Sequence, residues 1–379
     1  MKKLMLTTAI ASVLTTAAIA QTSITGELRL SYKDVSMPKG AAGTATAKDR
    51  NYGFGAEQQI NIQTKGKLNL GGLDYAAGFS IENDGEQTGT IFNENVYMDF
   101  TNASSGTTIS FGKDHIQRSD SDTSATNLVG FTPNELTQVA NAAGGSWFAQ
   151  NLGPATSQAY GIALLQNTPV GRFSYNFVPN NAKSSASVAN NTGATAVTGG
   201  TVNSDRNSVV DADTVNVAAS EAVNPNTTAA YEYGFVGDLG VKGLQAHYFK
   251  SKNNDFTMTW TNGAVEAEAK NYGVRYNFGQ FTAGANKKVY NSEAATLTET
   301  TETAYSAAYA VNKDLSIGVI KAKADRNTAA TEDQTVKGIN LGYNLGPVAL
   351  AAGYAKTKDA LGKTGADNDV FMIRLLGAF

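Results

Sequence analysis

The residues Val370 to Phe379 read VFMIRLLGAF, and the chain stops on the phenylalanine. Counting back by twos from Phe379 gives Gly377, Leu375, Ile373 and Phe371, a period-2 stripe that ends on a terminal aromatic. Such alternation marks a strand with one apolar face. Chain ends fray unless something ties them down. A strand that finishes the chain is therefore expected to be held by pairing at its last residue. Two folds answer to this: a soluble sandwich with a buried last strand, or a barrel closed by that strand.

The other end favours the barrel. Lys2 and Lys3 form a basic start, Leu4 to Leu14 is apolar apart from Thr7, Thr8 and Ser12, and Ala18-Ile19-Ala20 is an A-x-A cleavage site. Residues 1–20 read as a secretory signal peptide cut between Ala20 and Gln21. The apolar run is too short and too interrupted to span a membrane. Removing 20 of 379 residues leaves 359, with 28 basic and 33 acidic side chains and a net charge of −5. That balance gives no footing for nucleic acid, which needs a basic face. The stripe ending on Phe379 resembles the closing strand of bacterial outer-membrane β-barrels, where a C-terminal Phe is the assembly signal. Gly377 departs from that pattern, since many members carry a large residue there.

The chain has no cysteine, although it is exported, and its mean hydropathy is −0.25. Strands that show lipid and lumen alternately average to such a neutral value. Reading for alternation gives sixteen strands, from Ile24–Tyr32, Gly53–Thr64 and Leu73–Ile81 to Val348–Ala355 and Asp369–Phe379. Connections alternate between seven short turns, such as Gly279–Gln280, and eight longer loops. The 7 prolines all fall in turns or loops, as a closed barrel requires. Phe100, Phe235, Phe278, Tyr309 and Tyr343 are expected as a girdle at the turn side. Tyr32, Phe79, Phe111, Tyr248 and Tyr354 are expected at the loop side.

The order and spacing of these parts resemble a general porin of Gram-negative bacteria across residues 21–379. GTTISFGKD (Gly106 to Asp114) is similar to the stretch that precedes the third loop in alphaproteobacterial porins. The resemblance implies an all-β transmembrane antiparallel barrel of about 16 strands, seated in outer-membrane lipid as a homotrimer. It also implies that loop 3, residues 113–158, folds into the lumen as a constriction carrying a short helix. Within it, Thr132 is a good N-cap, Pro133 suits the first helical position, and Glu135 completes a T-x-x-E capping box. Phe131 can staple to Leu136, and Gly144-Gly145 ends the helical pattern.

The candidate constriction charges are Asp114, Arg118, Asp120, Asp122 and Glu135, with Lys113 beside them. The candidate pore wall is Glu27, Arg29, Glu57, His247, Arg275 and Arg374. Carboxylates on the loop opposite arginines on the wall would set a transverse field, and charge rings select ions by sign. The loop's acidic excess points to a weak cation preference. Residues 179–228 contain no aromatic residue, a composition that cannot bury a core. Asp120-Ser121-Asp122 and Asp211-Ala212-Asp213 have calcium-binding oxygens but no motif around them, so no metal and no cofactor are assigned. No nucleophile-elbow, Walker or zinc pattern occurs, and a lone lumen histidine gives catalysis little support. The expected function is passive diffusion of small hydrophilic solutes and ions. The alternatives are a substrate-specific channel, or an adhesin with residues 179–228 as its working end.

Overall fold

The computed structural model describes residues 21–36, 50–68, 72–83, 92–112, 125–137, 161–178, 230–256, 265–292, 299–325, 332–362 and 364–379. Sixteen strands run in chain order: β1 (Gln21–Ser36), β2 (Arg50–Lys67), β3 (Leu73–Asn83), β4 (Phe92–Asn102), β5 (Thr107–Gly112), β6 (Gly161–Thr168), β7 (Gly171–Val178) and β8 (Ala230–Gly237). They continue as β9 (Leu244–Phe256), β10 (Val265–Phe278), β11 (Phe281–Ser292), β12 (Glu299–Ala310), β13 (Leu315–Asp325), β14 (Gln334–Asn344), β15 (Val348–Lys358) and β16 (Asn368–Ala378). Each strand pairs with its sequence neighbours, and β16 returns to β1, so the sheet is a closed barrel.

The closing seam uses the terminal residue. β1 and β16 run antiparallel from Glu27↔Ala378 to Ser36↔Asp369. Below that ladder the Gly26 N–H donates to the Phe379 carbonyl (2.8 Å), and the Phe379 N–H donates back to the Gly26 carbonyl (3.0 Å). The Phe379 ring crosses the outer face over Gly26, where any Cβ would overlap it. Glycine at position 26 therefore makes room for the aromatic end.

Alternation sets the two faces. Leu28, Leu30, Phe79, Phe111, Tyr175, Val274, Val319, Ile339 and Leu375 are exposed on the outer wall. Their sequence neighbours point inward, and many of these are polar and buried, including Ser110, Asn176, Asn271 and Asn340. An isolated protein in water would hide those apolar side chains; a bilayer solvates them.

The hairpin between β10 and β11 closes directly, with Phe278 opposite Phe281. Gly279 takes a positive φ of 66° there, as the first residue of a type II′ turn requires. No described strand contains a proline: Pro169 and Pro347 sit in turns and Pro133 starts a helix, while Pro38, Pro154, Pro179 and Pro225 lie outside the described residues.

Two expectations change. Several strands are longer than alternation suggested, notably β1 at both ends and β9, which continues to Phe256. Where a strand leaves the lipid, both its faces become polar and the period-2 signal stops. The girdles also need revision. Phe235 and Tyr248, expected at opposite ends of the barrel, are direct cross-strand partners at one height. Phe100 and Phe111 likewise touch, at 6.2 Å between ring centres. The turn-side aromatics form a packed series instead, running Tyr276, Phe278, Phe281, Tyr309 with centroids 6.0, 5.7 and 4.7 Å apart.

Deleting Phe379 removes both terminal hydrogen bonds and the ring over Gly26. We expect a lower yield of folded, heat-modifiable protein on a cold detergent gel. An unchanged folded yield would make the terminal aromatic incidental.

Candidate functional site

The lumen is not empty. Between β5 and β6 the described residues, 125–137, lie inside the barrel, on the inner wall from β10 round to β1. Its one described helix, α1, spans Pro133–Thr137. The start is fixed by a reciprocal cap. The Glu135 N–H donates to Thr132 Oγ1 (3.2 Å), while the Thr132 N–H donates to Glu135 Oε2 (2.8 Å). The rest of the expected helix, to Gly145, lies outside the described residues.

The segment docks because the wall beneath it is apolar and low. Phe131 and Leu136 are fully buried, in one cluster with inward Val35, Ile320, Ala322, Ala324, Val336, Ala355, Val370 and Met372. At several other inward positions the wall has no side chain at all. A Cβ on Gly353 would stand 2.5 Å from the Phe131 ring, and one on Gly318 would stand 3.1 Å from Val129. One on Gly338 would stand 3.2 Å from Leu136, and one on Gly284 would overlap the Ala125 carbonyl. These glycines form a shallow track that accepts the loop.

Polar bonds lock the packing. Asn340 Nδ2 donates to the Phe131 carbonyl (2.9 Å), and Lys33 Nζ donates to the Glu135 carbonyl (2.8 Å). Arg374 Nη2 reaches Glu135 Oε1 at 2.5 Å, and its guanidinium lies 4.9 Å from the centre of the Phe131 ring. Charge-assisted bonds of this kind are shorter and stronger than neutral ones.

A closed sixteen-strand barrel with a loop bound inside is the setting for the family comparison. The family model of Gram-negative porins matches residues 7–372. The chain belongs to the Gram-negative porin family. It is an outer-membrane β-barrel. Among solved structures, the anion-selective porin from Comamonas acidovorans superposes with a TM-score of 0.66 at 14% identity, covering 95% of this chain and 100% of that one. The trimer form of in-vitro folded OmpT of Vibrio cholerae gives 0.57 at 13%, covering 95% and 99%. A mutant porin of Rh. blastica gives 0.55 at 13%, covering 95% and 100%. At such identities the likeness concerns fold alone. No curated protein sequence matches the chain.

The candidate residues of this porin do not gather at one point. Asp114, Arg118, Asp120 and Asp122 lie outside the described residues, as do both Asp-x-Asp pairs. Glu27, Arg29 and Glu57 come together on the inner wall: Arg29 reaches Glu27 at 2.5 Å and Glu57 at 2.6 Å. Arg374 and Glu135 come together too, but in contact, not across an open eyelet. Arg275 stands apart from these and donates to Gln245, its cross-strand partner. His247 points inward but is 5% exposed, with Nε2 3.4 Å from Asn271 Oδ1. It sits beneath the loop near Gly273 and Ala125, so it is covered wall.

Sequence reading missed Lys33, Asn340 and the glycine track. One signal was available. β13 and β16 carry runs of apolar residues on their inward faces as well, Ile320, Ala322 and Ala324 on one and Val370 and Met372 on the other. A strand facing open water in the lumen has no use for them.

Replacing Phe131 with Ala should cost about 3–5 kcal/mol of local packing and release the loop from the wall. We expect noisier single-channel currents and faster protease cleavage within residues 113–160, with the barrel still heat-modifiable. Steady currents and unchanged cleavage would show that the ring does not anchor the loop.

Proposed function

We propose that this porin is a general diffusion channel. Small hydrophilic solutes and ions pass down their gradients through a lumen narrowed by loop 3, with no chemical step. The observation that carries the reading is the docking of residues 125–137 on the inner wall: a loop held inside a closed barrel reduces the open cross-section without plugging it by a separate domain. Residues 1–20 serve as the export signal, with Gln21 the first mature residue and also the first residue of β1. The working form is a homotrimer, in line with the trimer form in which the Vibrio cholerae OmpT structure was obtained.

Selectivity is proposed as weakly cationic. Glu135 adds little to it, because Arg374 neutralises it at contact distance. The preference would rest on Asp114, Asp120 and Asp122, and on the Glu27–Arg29–Glu57 group, where two carboxylates share one guanidinium. Groups farther from the narrowest point are screened over about 10 Å at 0.1 M salt, so the preference should fade as salt rises.

Purified protein in planar bilayers tests both points. Large ohmic steps support the general channel. Small steps blocked by one solute would favour a specific channel, and no steps would favour an adhesin. Replacing residues 131–145 with a short Gly-Ser bridge should raise conductance; an unchanged value would place the constriction elsewhere. In a salt gradient, neutralising Asp114, Asp120 and Asp122 together should move the zero-current potential toward anions. A wild-type potential already on the anion side would reverse the assignment.

A further inference from the structure

Among the described strands, outward-facing lysines lie on one arc of the wall. On β1 to β8 the lysines of the described strands, Lys33, Lys65 and Lys67, all take inward positions. On β9 to β15 the lysines point outward near the loop ends of the strands, except Lys288 on β11, which turns inward to Glu302. Two groups of them behave differently.

In the first group, Lys250 on β9 stands directly opposite Lys270 on β10. Like charges directly opposed across strands are destabilising. Here the chain supplies its own remedy, because Glu268 sits between them at 2.7 and 3.0 Å.

In the second group, Lys321 on β13 is opposite Lys337 on β14, and Lys337 is opposite Lys356 on β15. Three ammonium stems thus form one row across three strands, spanning about 10 Å. All three residues are exposed. No described carboxylate forms an ion pair with any of them. The lysines just above are already engaged: Lys323 with Asp333 at 2.6 Å, and Lys358 with Asp359 at 3.4 Å. Asp369 ends the row opposite Lys356, which leaves a net surplus of positive charge. The row lines a recess of about 640 Å³ on the outside of the barrel.

The next outward row toward the turns is Val319, Ile339, Tyr354 and Phe371, paired in that order. These are 52%, 51%, 39% and 39% exposed. A strip of cations therefore lies one side-chain step above a strip of lipid-facing apolar groups, at the end of the barrel that carries the long loops. In outer-membrane barrels that end faces the cell exterior.

We propose that the outer face of β13 to β15 binds a phosphorylated lipid of the outer leaflet, with its phosphate on Lys321, Lys337 and Lys356 and its acyl chains along Val319, Ile339, Tyr354 and Phe371. The paired rows favour a lipid over free phosphate, because an inorganic anion would use the lysines and leave the apolar row without a role. The absence of a bridging carboxylate among the described residues, against its presence at Lys250 and Lys270, marks this row as the one that takes its counter-charge from outside the chain.

The test uses the full-length folded protein in detergent and native mass spectrometry with diphosphorylated lipid A. The wild type should retain the lipid, and inorganic phosphate at millimolar concentration should not displace it. The Lys321→Gln, Lys337→Gln, Lys356→Gln variant should bind on the order of 100-fold more weakly. Lys337→Gln alone, which keeps the fold least disturbed, should lose roughly fivefold. Lys250→Gln with Lys270→Gln should leave binding unchanged, and all variants should keep wild-type conductance. Wild-type binding by the triple variant would reduce the lysines to solvated ends of the wall. Equal binding of the dephosphorylated lipid, or full displacement by inorganic phosphate, would overturn the lipid-phosphate assignment. Conductance, read separately, reports on the channel reading and not on this site.

Discussion

The pairing of β1 with β16 is the constraint on which everything else in this molecule rests. In hydrocarbon an unpaired backbone group costs several kcal/mol, so a sheet of sixteen strands must have no edge. Closure therefore requires the first strand to pair with the last. The reciprocal bonds between Gly26 and Phe379 carry the ladder to the last residue, and the missing side chain at Gly26 lets the terminal ring lie flat across the seam. Once the cylinder is closed, its two faces become two solvents, and each residue's parity decides which one it meets.

The loop inside the barrel is a second folding problem solved on the first one's surface. A lumen wall facing water should be polar, yet the inward positions of β13, β14, β15, β16 and β1 hold Ile320, Val336, Ala355, Val370 and Val35. They form a half-core that gains nothing until Phe131 and Leu136 cover it. Burying two such side chains contributes roughly 1.5–3 kcal/mol each. Packing alone does not fix orientation, so directional bonds from Lys33, Asn340 and Arg374 hold the segment in one place. The wall and the loop are each incomplete without the other, which ties the constriction to the fold.

Most of the barrel was legible because its signals are local. Alternation identified sixteen strands, and the Gly279–Gln280 turn could be read from two residues. The spacing of Thr132 and Glu135 specifies the hydrogen bonds that cap α1. The girdle heights were misjudged because they depend on register, which alternation does not give. Phe235 and Tyr248 have correct parity and still share one level. The partners of the loop were illegible for a related reason. Asn340 lies 209 residues from Phe131, and nothing in the pattern around either names the other. The trace that did exist was negative: strands whose inward face is apolar, and glycines such as Gly353 and Gly318 within otherwise regular strands. Such breaks in alternation are weak as strand signals but informative as docking signals.

Glu135 shows how anchoring and selectivity compete for one side chain. Read as an isolated loop carboxylate, it belongs to the charge set of the constriction. In the folded molecule one oxygen caps α1 through Thr132 and the other is held by Arg374, while its carbonyl receives Lys33. Its charge is spent on holding the loop, and Arg374 is withdrawn from the wall in the same contact. The counter-example is Arg29, which two carboxylates approach from its own and the neighbouring strand. There the excess acid is part of the rigid wall and no loop position is at stake. A field across this lumen is therefore governed by where charges are left over after the loop has been fixed. That depends on the pairing of each group, and not on a count of acidic and basic residues along the loop.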